Sequence, residues 1–303
     1  MFVPSSWVIV NEGVKGPRSR WLDGFGVVST PLVSSAVAVV RTPAALKVPA
    51  RIAAIFWAIK LLTTAFGEST SDHLVHNVNP YLAVVGGFVL FVIAMMIQLR
   101  VDRYIPGVYW LAVAMVAVFG TMAADVLHVE FRVPYIGSTV LFAVLLVAVF
   151  WLWSWSEPTL SIHSITTVRR ELFYWAAVLA TFAMGTALGD LAAYTFNLGF
   201  FSAGIVFAVL FALPGLAYLW FRIDAVLAFW AAYVMTRPLG ASFADWTGKS
   251  TRAGGIGIGD GTMAFVLALL IVIGVVYLTI SRADQIEPSK RGGFEPALAD
   301  ESA

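Results

Sequence analysis

The chain has 303 residues, of which 60% are hydrophobic and 12% charged, a composition that excludes a soluble globular domain and predicts an integral membrane protein. It has no Cys, which excludes disulfides, thiolate metal sites and cysteine nucleophiles. A net charge of +1 gives no basic surface for nucleic acid.

The first fifty residues are less apolar than the rest and hold scattered Pro, Ser and charges, which predicts a cytoplasmic N-terminal segment, partly disordered. Within it the apolar run from Val27 to Val40 is short and contains Pro31, so it reads as interfacial rather than spanning. Eight apolar windows follow, at 52–71, 81–99, 107–126, 135–155, 173–193, 199–220, 225–245 and 262–281. They predict an all-α integral membrane protein in which eight transmembrane helices form four parallel two-helix repeats in a pseudo-symmetric bundle. The repeats run over about 51–103, 104–165, 166–222 and 223–281, and residues 282–303 form a polar cytoplasmic tail.

Repetition is written into the spacing. An aromatic residue and a Trp are followed ten residues later by Gly and fifteen later by Asp: Trp57, Gly67, Asp72; Trp110, Gly120, Asp125; Trp175, Gly185, Asp190; Trp230, Gly240, Asp245. Chance would supply both partners of a given Trp only about three times in a thousand, so four hits among eleven Trp indicate an internal repeat. Successive Trp lie 53, 65 and 55 residues apart, enough for two spans and a connection.

Lys and Arg orient the helices. With the N-terminus inside, fourteen of them fall in cytoplasmic segments and only Arg132, Lys249 and Arg252 in outer loops; Lys60 and Arg237 lie within helices. Both termini are then cytoplasmic. The Trp stands at the cytoplasmic interface and the Asp about 22 Å further on, near the outer boundary, which places four carboxylates at one depth.

At 100° per residue, positions 3, 7, 11 and 15 after each Trp share one face. In the first repeat that stripe is Lys60, Thr64, Glu68 and Asp72, a polar track across most of the bilayer; Thr121 and Thr186 replace Glu68 in the second and third repeats, and Arg237 replaces Thr64 in the fourth. Charges in lipid are costly and must face protein or water, so Glu68 is expected to pair with Arg237 across the core. The repeat Trp and Gly have structural roles, at interfaces and at close helix contacts. His73 and His128 lie beside the Asp positions and add a metal-ligand type suited to manganese, zinc or iron.

Other signals are set aside. The run Gly254 to Gly261 lacks the Lys and Ser or Thr of a nucleotide loop and reads as a flexible outer connection. Ala187-Leu188-Gly189-Asp190 departs from the intramembrane aspartyl protease pattern, with Ala where that motif has Gly. No zinc-protease or serine-hydrolase signature occurs.

The stretches Lys47-Val48-Pro49 through Phe56-Trp57, Gly67 through Asp72, Leu160 through Ile165 with Arg169-Arg170-Glu171, and Thr236 through Ser242 resemble a group of uncharacterised bacterial membrane-anchored proteins. Those proteins are built from four tandem two-helix repeats of unknown function, and the likeness covers about 47–281. It implies a bacterial inner-membrane location and eight spans, with no activity to carry over.

Three functional readings follow. The preferred one is a cation carrier, for a divalent metal or coupled to protons, in which Asp72, Asp125, Asp190, Asp245 and Glu68 bind the ion. Lys60, Arg237, Thr64, Thr121 and Thr186 would couple or gate its passage. The alternatives are a membrane enzyme using Glu68 and an Asp as acid and base on an amphipathic substrate, and a sensor or scaffold with structural ion pairs. The expected partners are the lipid bilayer and a small cation, with no cofactor and with oligomeric state left open.

Overall fold

A computed structural model describes residues 45–285. The chain divides into a unit Met1–Thr42, outside the described residues together with the expected interfacial run and most of the tail, and a unit from Pro43 onward. Among the described residues there are eight α-helices and no strands: α1 (Ala54–Asn77), α2 (Pro80–Arg100), α3 (Pro106–Val129), α4 (Tyr135–Ser156), α5 (Val168–Asp190), α6 (Gly199–Phe221), α7 (Ala225–Gly248) and α8 (Asp260–Ser281).

Local chemistry sets the helix ends. Asn79 caps α2 through Tyr81 and Leu82 N–H with Pro80 at its first position, Thr167 caps α5 through Arg170 N–H, and Asp224 caps α7 through Leu227 N–H. At the ends of α6 and α8, Arg222 and Arg282 take the left-handed conformation that stops a helix.

The helices form two layers. α1, α3, α5 and α7 close into an inner ring in which α7 returns to pack on α1. α2, α4, α6 and α8 lie outside, and each packs chiefly on the odd helix of the following repeat: α2 on α3, α4 on α5, α6 on α7 and α8 on α1. The covalent repeat and the packing unit are therefore offset by one helix, and every repeat needs its neighbour to cover its inner helix.

Burial follows the layers. Six helices are long and apolar enough to cross a membrane; of these, α3 and α5 are 61% and 72% buried, whereas α2, α4, α6 and α8 are 17 to 22% buried. The outward side chains of the outer layer are Leu, Val, Ile and Phe, as a lipid-facing surface requires. α1 and α7 fall outside that apolar class because they carry Lys60, Glu68 and Asp72, and Arg237 and Asp245. Of these charges Lys60, Glu68, Arg237 and Asp245 are buried in the protein.

The segment before α1 ties the ring together at one end. Ala50 and Arg51 N–H donate to Asp284 C=O (3.0 Å each), Tyr104 N–H donates to Leu46 C=O (2.8 Å) and Lys47 N–H to Ile165 C=O (3.1 Å). The Lys47 ammonium meets Glu171 Oε2 at 2.8 Å, while Gln98 Nε2 donates to Glu171 Oε1 at 2.8 Å. A buried Glu171 is thus satisfied from both the segment before α1 and the end of α2.

Candidate functional site

The N-terminal ends of the inner helices meet in an aromatic floor. Phe56 packs against Trp110 (5.5 Å between ring centroids) and Phe229 (6.3 Å), Tyr109 against Trp175 (5.7 Å), and Tyr174 against Trp230 (6.0 Å). Trp110, Trp175 and Trp230 are buried and Trp57 half-buried, each near the N-terminal end of its inner helix. They belong to the inner layer; among the described residues the exposed Trp are Trp151, Trp155 and Trp220, at the ends of the outer helices α4 and α6.

Above the floor, each repeat Gly seats the next inner helix. A Cβ on Gly67 would stand 2.5 Å from Ala117 Cβ, one on Gly120 2.7 Å from Phe182 Cβ, and one on Gly185 2.5 Å from Arg237 Cγ; Gly240 meets Thr64 in the same way. The contact runs from position 10 of one repeat to position 7 of the next, around the whole ring. That constant register makes the four inner helices parallel and brings their polar stripes to one axis.

Arg237 fills that axis. Its Nη2 donates to Glu68 Oε2 at 2.5 Å, to Thr186 Oγ1 at 2.6 Å and to Thr121 Oγ1, and its Nη1 to Thr64 C=O at 3.5 Å. The Glu68 pairing expected from sequence is present, and the three position-11 side chains converge on one guanidinium from three different repeats. Thr121 and Thr186 donate their own hydroxyl protons to Ala117 and Phe182 C=O, which leaves their oxygens free to accept from Arg237. Below it Lys60 is fully buried, its Nζ 4.1 Å from the Phe182 ring centre and 4.3 Å from that of Tyr233.

Beyond Arg237 the stripe opens into a carboxylate basin. One oxygen each from Glu68, Asp72 and Asp245 lie within 4.8 Å of one another, a spacing that suits a hard or borderline cation. Asp125 and Asp190 stand within electrostatic range of Glu68 and Asp72, and among the described residues neither has an ion-pair partner. The four Asp thus reach one end of the ring, but the tight cluster is asymmetric: it joins the first and fourth repeats, where the ring closes.

Sequence reasoning missed Lys249. Its ammonium bonds to Asp72 and lies 3.9 Å from Asp245 Oδ1, so a tethered cation already sits in the basin. Burial pulls Lys249 down, but Asp72 and Asp245 outweigh it and hold the ammonium above the ordinary lysine range. Its position four residues after Asp245 was the available signal.

The glycine run that follows is more than a connection. Ile256, Ile258, Gly259 and Gly257 N–H donate to the C=O groups of Trp246, Thr247, Gly248 and Lys249 at 2.7, 3.0, 3.1 and 2.9 Å. These are the four carbonyls a helix end leaves without partners. Gly254, Gly257 and Gly259 have positive φ, which allows the chain to fold back over α7 and fix Lys249 in place.

The two His do not join the cluster. His128 stacks on Tyr135 at 3.7 Å with its Nδ1 2.9 Å from Val133 C=O, and His73 is exposed with its Nδ1 3.2 Å from Asn77 Nδ2. Among the described residues the carboxylates alone gather, because α1 and α3 carry these His past the Asp that faces the axis.

Four segments of the chain, 55–104, 108–159, 173–224 and 228–284, match the family described as Repeat of Unknown Function (DUF347). Neither a curated protein nor a solved structure matches the chain significantly.

Proposed function

We propose that this chain, which belongs to the DUF347 repeat family, is a membrane cation carrier that takes a divalent cation into the basin formed by Glu68, Asp72 and Asp245. The observation that carries the reading is the convergence of these three carboxylates with a lysine ammonium already seated among them. A site that holds one cation from its own chain has the charge and oxygen donors to hold another. Asp125 and Asp190, within electrostatic range of Glu68 and Asp72, add carboxyl oxygens beside the basin.

Carriage rather than free conduction is favoured by what lies beneath. Arg237 spans the axis with contacts to three other helices, and the aromatic floor lies below it, so an ion passes only if these contacts rearrange. In this reading all eight helices span the bilayer, α1 and α7 being shielded by the outer layer. The location is a bacterial inner membrane, the basin faces outward, and both termini are cytoplasmic, as the Lys and Arg bias favours. Single Cys at Arg252 and Arg103 test the orientation: an impermeant maleimide added to intact cells labels the first and spares the second.

The enzyme reading needs a carboxyl facing a chamber open to lipid. Two lateral cavities on the α6–α7 flank, about 460 and 900 Å³, are mainly apolar and lined by none of the basin carboxylates.

The test is total metal content, by mass spectrometry across the first-row metals, in cells producing the native protein or a variant with Asp72, Asp125, Asp190 and Asp245 changed to Asn. A change in one metal with the native protein alone supports the reading. Equal contents at matched membrane levels for every metal would oppose it.

A further inference from the structure

α6 breaks the pattern of the outer layer. Each of the other outer helices buries side chains in its C-terminal half, Ala94 and Gln98 on α2, Trp153 on α4 and Leu278 on α8, whereas α6 buries none beyond Phe207. Two residues of α6 mark the gap. Pro214 has no N–H to give the Leu210 C=O, and a Cβ on the adjacent Gly215 would meet nothing within 4 Å. On α8, by contrast, a Cβ on Gly274 would stand 2.9 Å from Ile59 Cγ1. The space left along this half of α6 is the pair of lateral cavities, about 460 and 900 Å³, both in the size range of ligand sites.

The cavities lie on opposite faces of α7. Ala225, Ala228 and Ala232 line the smaller and Leu227, Ala231 and Val234 the larger, two sets that are two residues out of step and so about 200° apart around the helix. Val226, at the N-terminal end of α7, belongs to both. Trp57, the one repeat Trp that is not buried, walls the smaller cavity with its ring 5.5 Å from that of Phe211. Positive charge gathers at the end where Val226 lies. Arg51 precedes Ile52 of the smaller cavity and Arg222 precedes Ile223 of the larger; both are exposed, and among the described residues neither has an ion-pair partner. The exposed His163 lines the smaller cavity. Asp224, which lines the larger, is engaged in capping α7 through Leu227 N–H, and Glu157 is taken by Arg169 and Arg170.

We propose that the two cavities form a binding site for one anionic phospholipid, with an acyl chain in each cavity astride α7 and the phosphate held by Arg222 at the α6–α7 turn, with Arg51 and His163 on the side of the smaller cavity. This needs the bundle to be embedded in a bilayer and does not depend on cation transport. Two chains joined at one phosphate match two apolar cavities that meet at one charged end. The apolar walls accept any acyl chain; selection comes from the free guanidinium groups, which attract a phosphate and an anionic headgroup above a neutral one. The bound lipid completes the outer layer where α6 leaves it open and covers Trp57 at the corner of the aromatic floor.

Native mass spectrometry of the purified, delipidated protein in detergent, incubated with equal amounts of phosphatidylglycerol and phosphatidylcholine of the same chain length, provides the test. One phosphatidylglycerol should be retained, in preference to phosphatidylcholine by about tenfold. Arg222→Asn removes the charge yet tolerates the left-handed backbone, so it should cut that preference about fivefold and leave the thermal midpoint unchanged. Gly215→Leu combined with Ala217→Leu puts a side chain into each cavity and should abolish retention, with the lipid-free midpoint equal or higher. Either substitution alone should weaken retention and stands in if the pair does not fold. Equal retention of the two lipids by the native protein, or undiminished retention in the filled variants, overturns the site. A lipid-free dimer that the filling substitutions disperse also overturns it and assigns the cavities to a second copy. A native protein that stays monodisperse without detergent overturns the membrane embedding, and the lipid site with it.

Discussion

The guanidinium of Arg237 on α7 meets the carboxylate of Glu68 on α1 at 2.5 Å, two residues 169 positions apart whose helices the closed ring makes neighbours. Neither group is tolerable alone in that interior. Arg237→Leu should cost about 3 to 5 kcal/mol, because it leaves a carboxylate buried without its partner. The double variant with Glu68→Leu should recover most of that loss. Thermal midpoints in detergent, native against single and double variants, measure both.

Close packing at the repeat glycines is predicted to be selective. Gly185→Ala places a Cβ 2.5 Å from Arg237 Cγ, and Gly67→Ala places one 2.5 Å from Ala117 Cβ. Each should cost about 1 to 3 kcal/mol through overpacking. Gly86→Ala, with nothing within 4 Å of the new carbon, should be neutral or gain up to about 1 kcal/mol from helix propensity. Equal midpoints for all three variants would refute the seating role.

Lys249 should act as an internal competitor for the basin. Lys249→Gln frees Asp72 and Asp245 and should tighten divalent-cation binding by about tenfold, equivalent to about 1.4 kcal/mol. The same change should lower the stability of the cation-free protein by no more than about 1 kcal/mol, as expected for a partly solvated pair. Titration calorimetry with Mn²⁺ checks the affinity; unchanged or weaker binding rules the competition out.

Asp284, where the chain closes on itself, carries a pH signature. Burial pushes its carboxyl above the ordinary Asp value, partly offset by the hydrogen bond from Tyr104. A raised acid contributes its full stability at low pH, and the contribution falls as pH climbs through the unfolded-state value, about 3.9, towards the folded one. Asp284→Asn should therefore match the native midpoint near pH 3 and equal or exceed it at pH 7. A midpoint at pH 7 well below the native one would contradict this.

Much of this organisation is legible in the sequence, since a spacing repeated four times fixes which faces of the inner helices are alike. The axis-facing stripe, the common depth of the Asp and the Glu68–Arg237 pairing follow from period and charge. What escapes is set by neighbours in space. Nothing in the order of helices says that α2 covers α3 rather than α1. Lys249 reads as an outer-loop charge until the backbone of Ile256 to Gly259 folds over the end of α7 and fixes its position above Asp72. The Tyr109–Tyr174 contact joins residues 65 positions apart that carry no signal beyond standing before a Trp.

The most direct test of the central claim is calorimetric titration of first-row divalent cations into the purified protein, native and with Asp72→Asn and Asp245→Asn combined. The account predicts that at least one cation binds the native protein at a single site and that the paired substitution abolishes this binding while leaving the thermal midpoint within a few degrees. Failure of every cation to bind the native protein, or undiminished binding in a folded Asp72→Asn/Asp245→Asn variant, would contradict it.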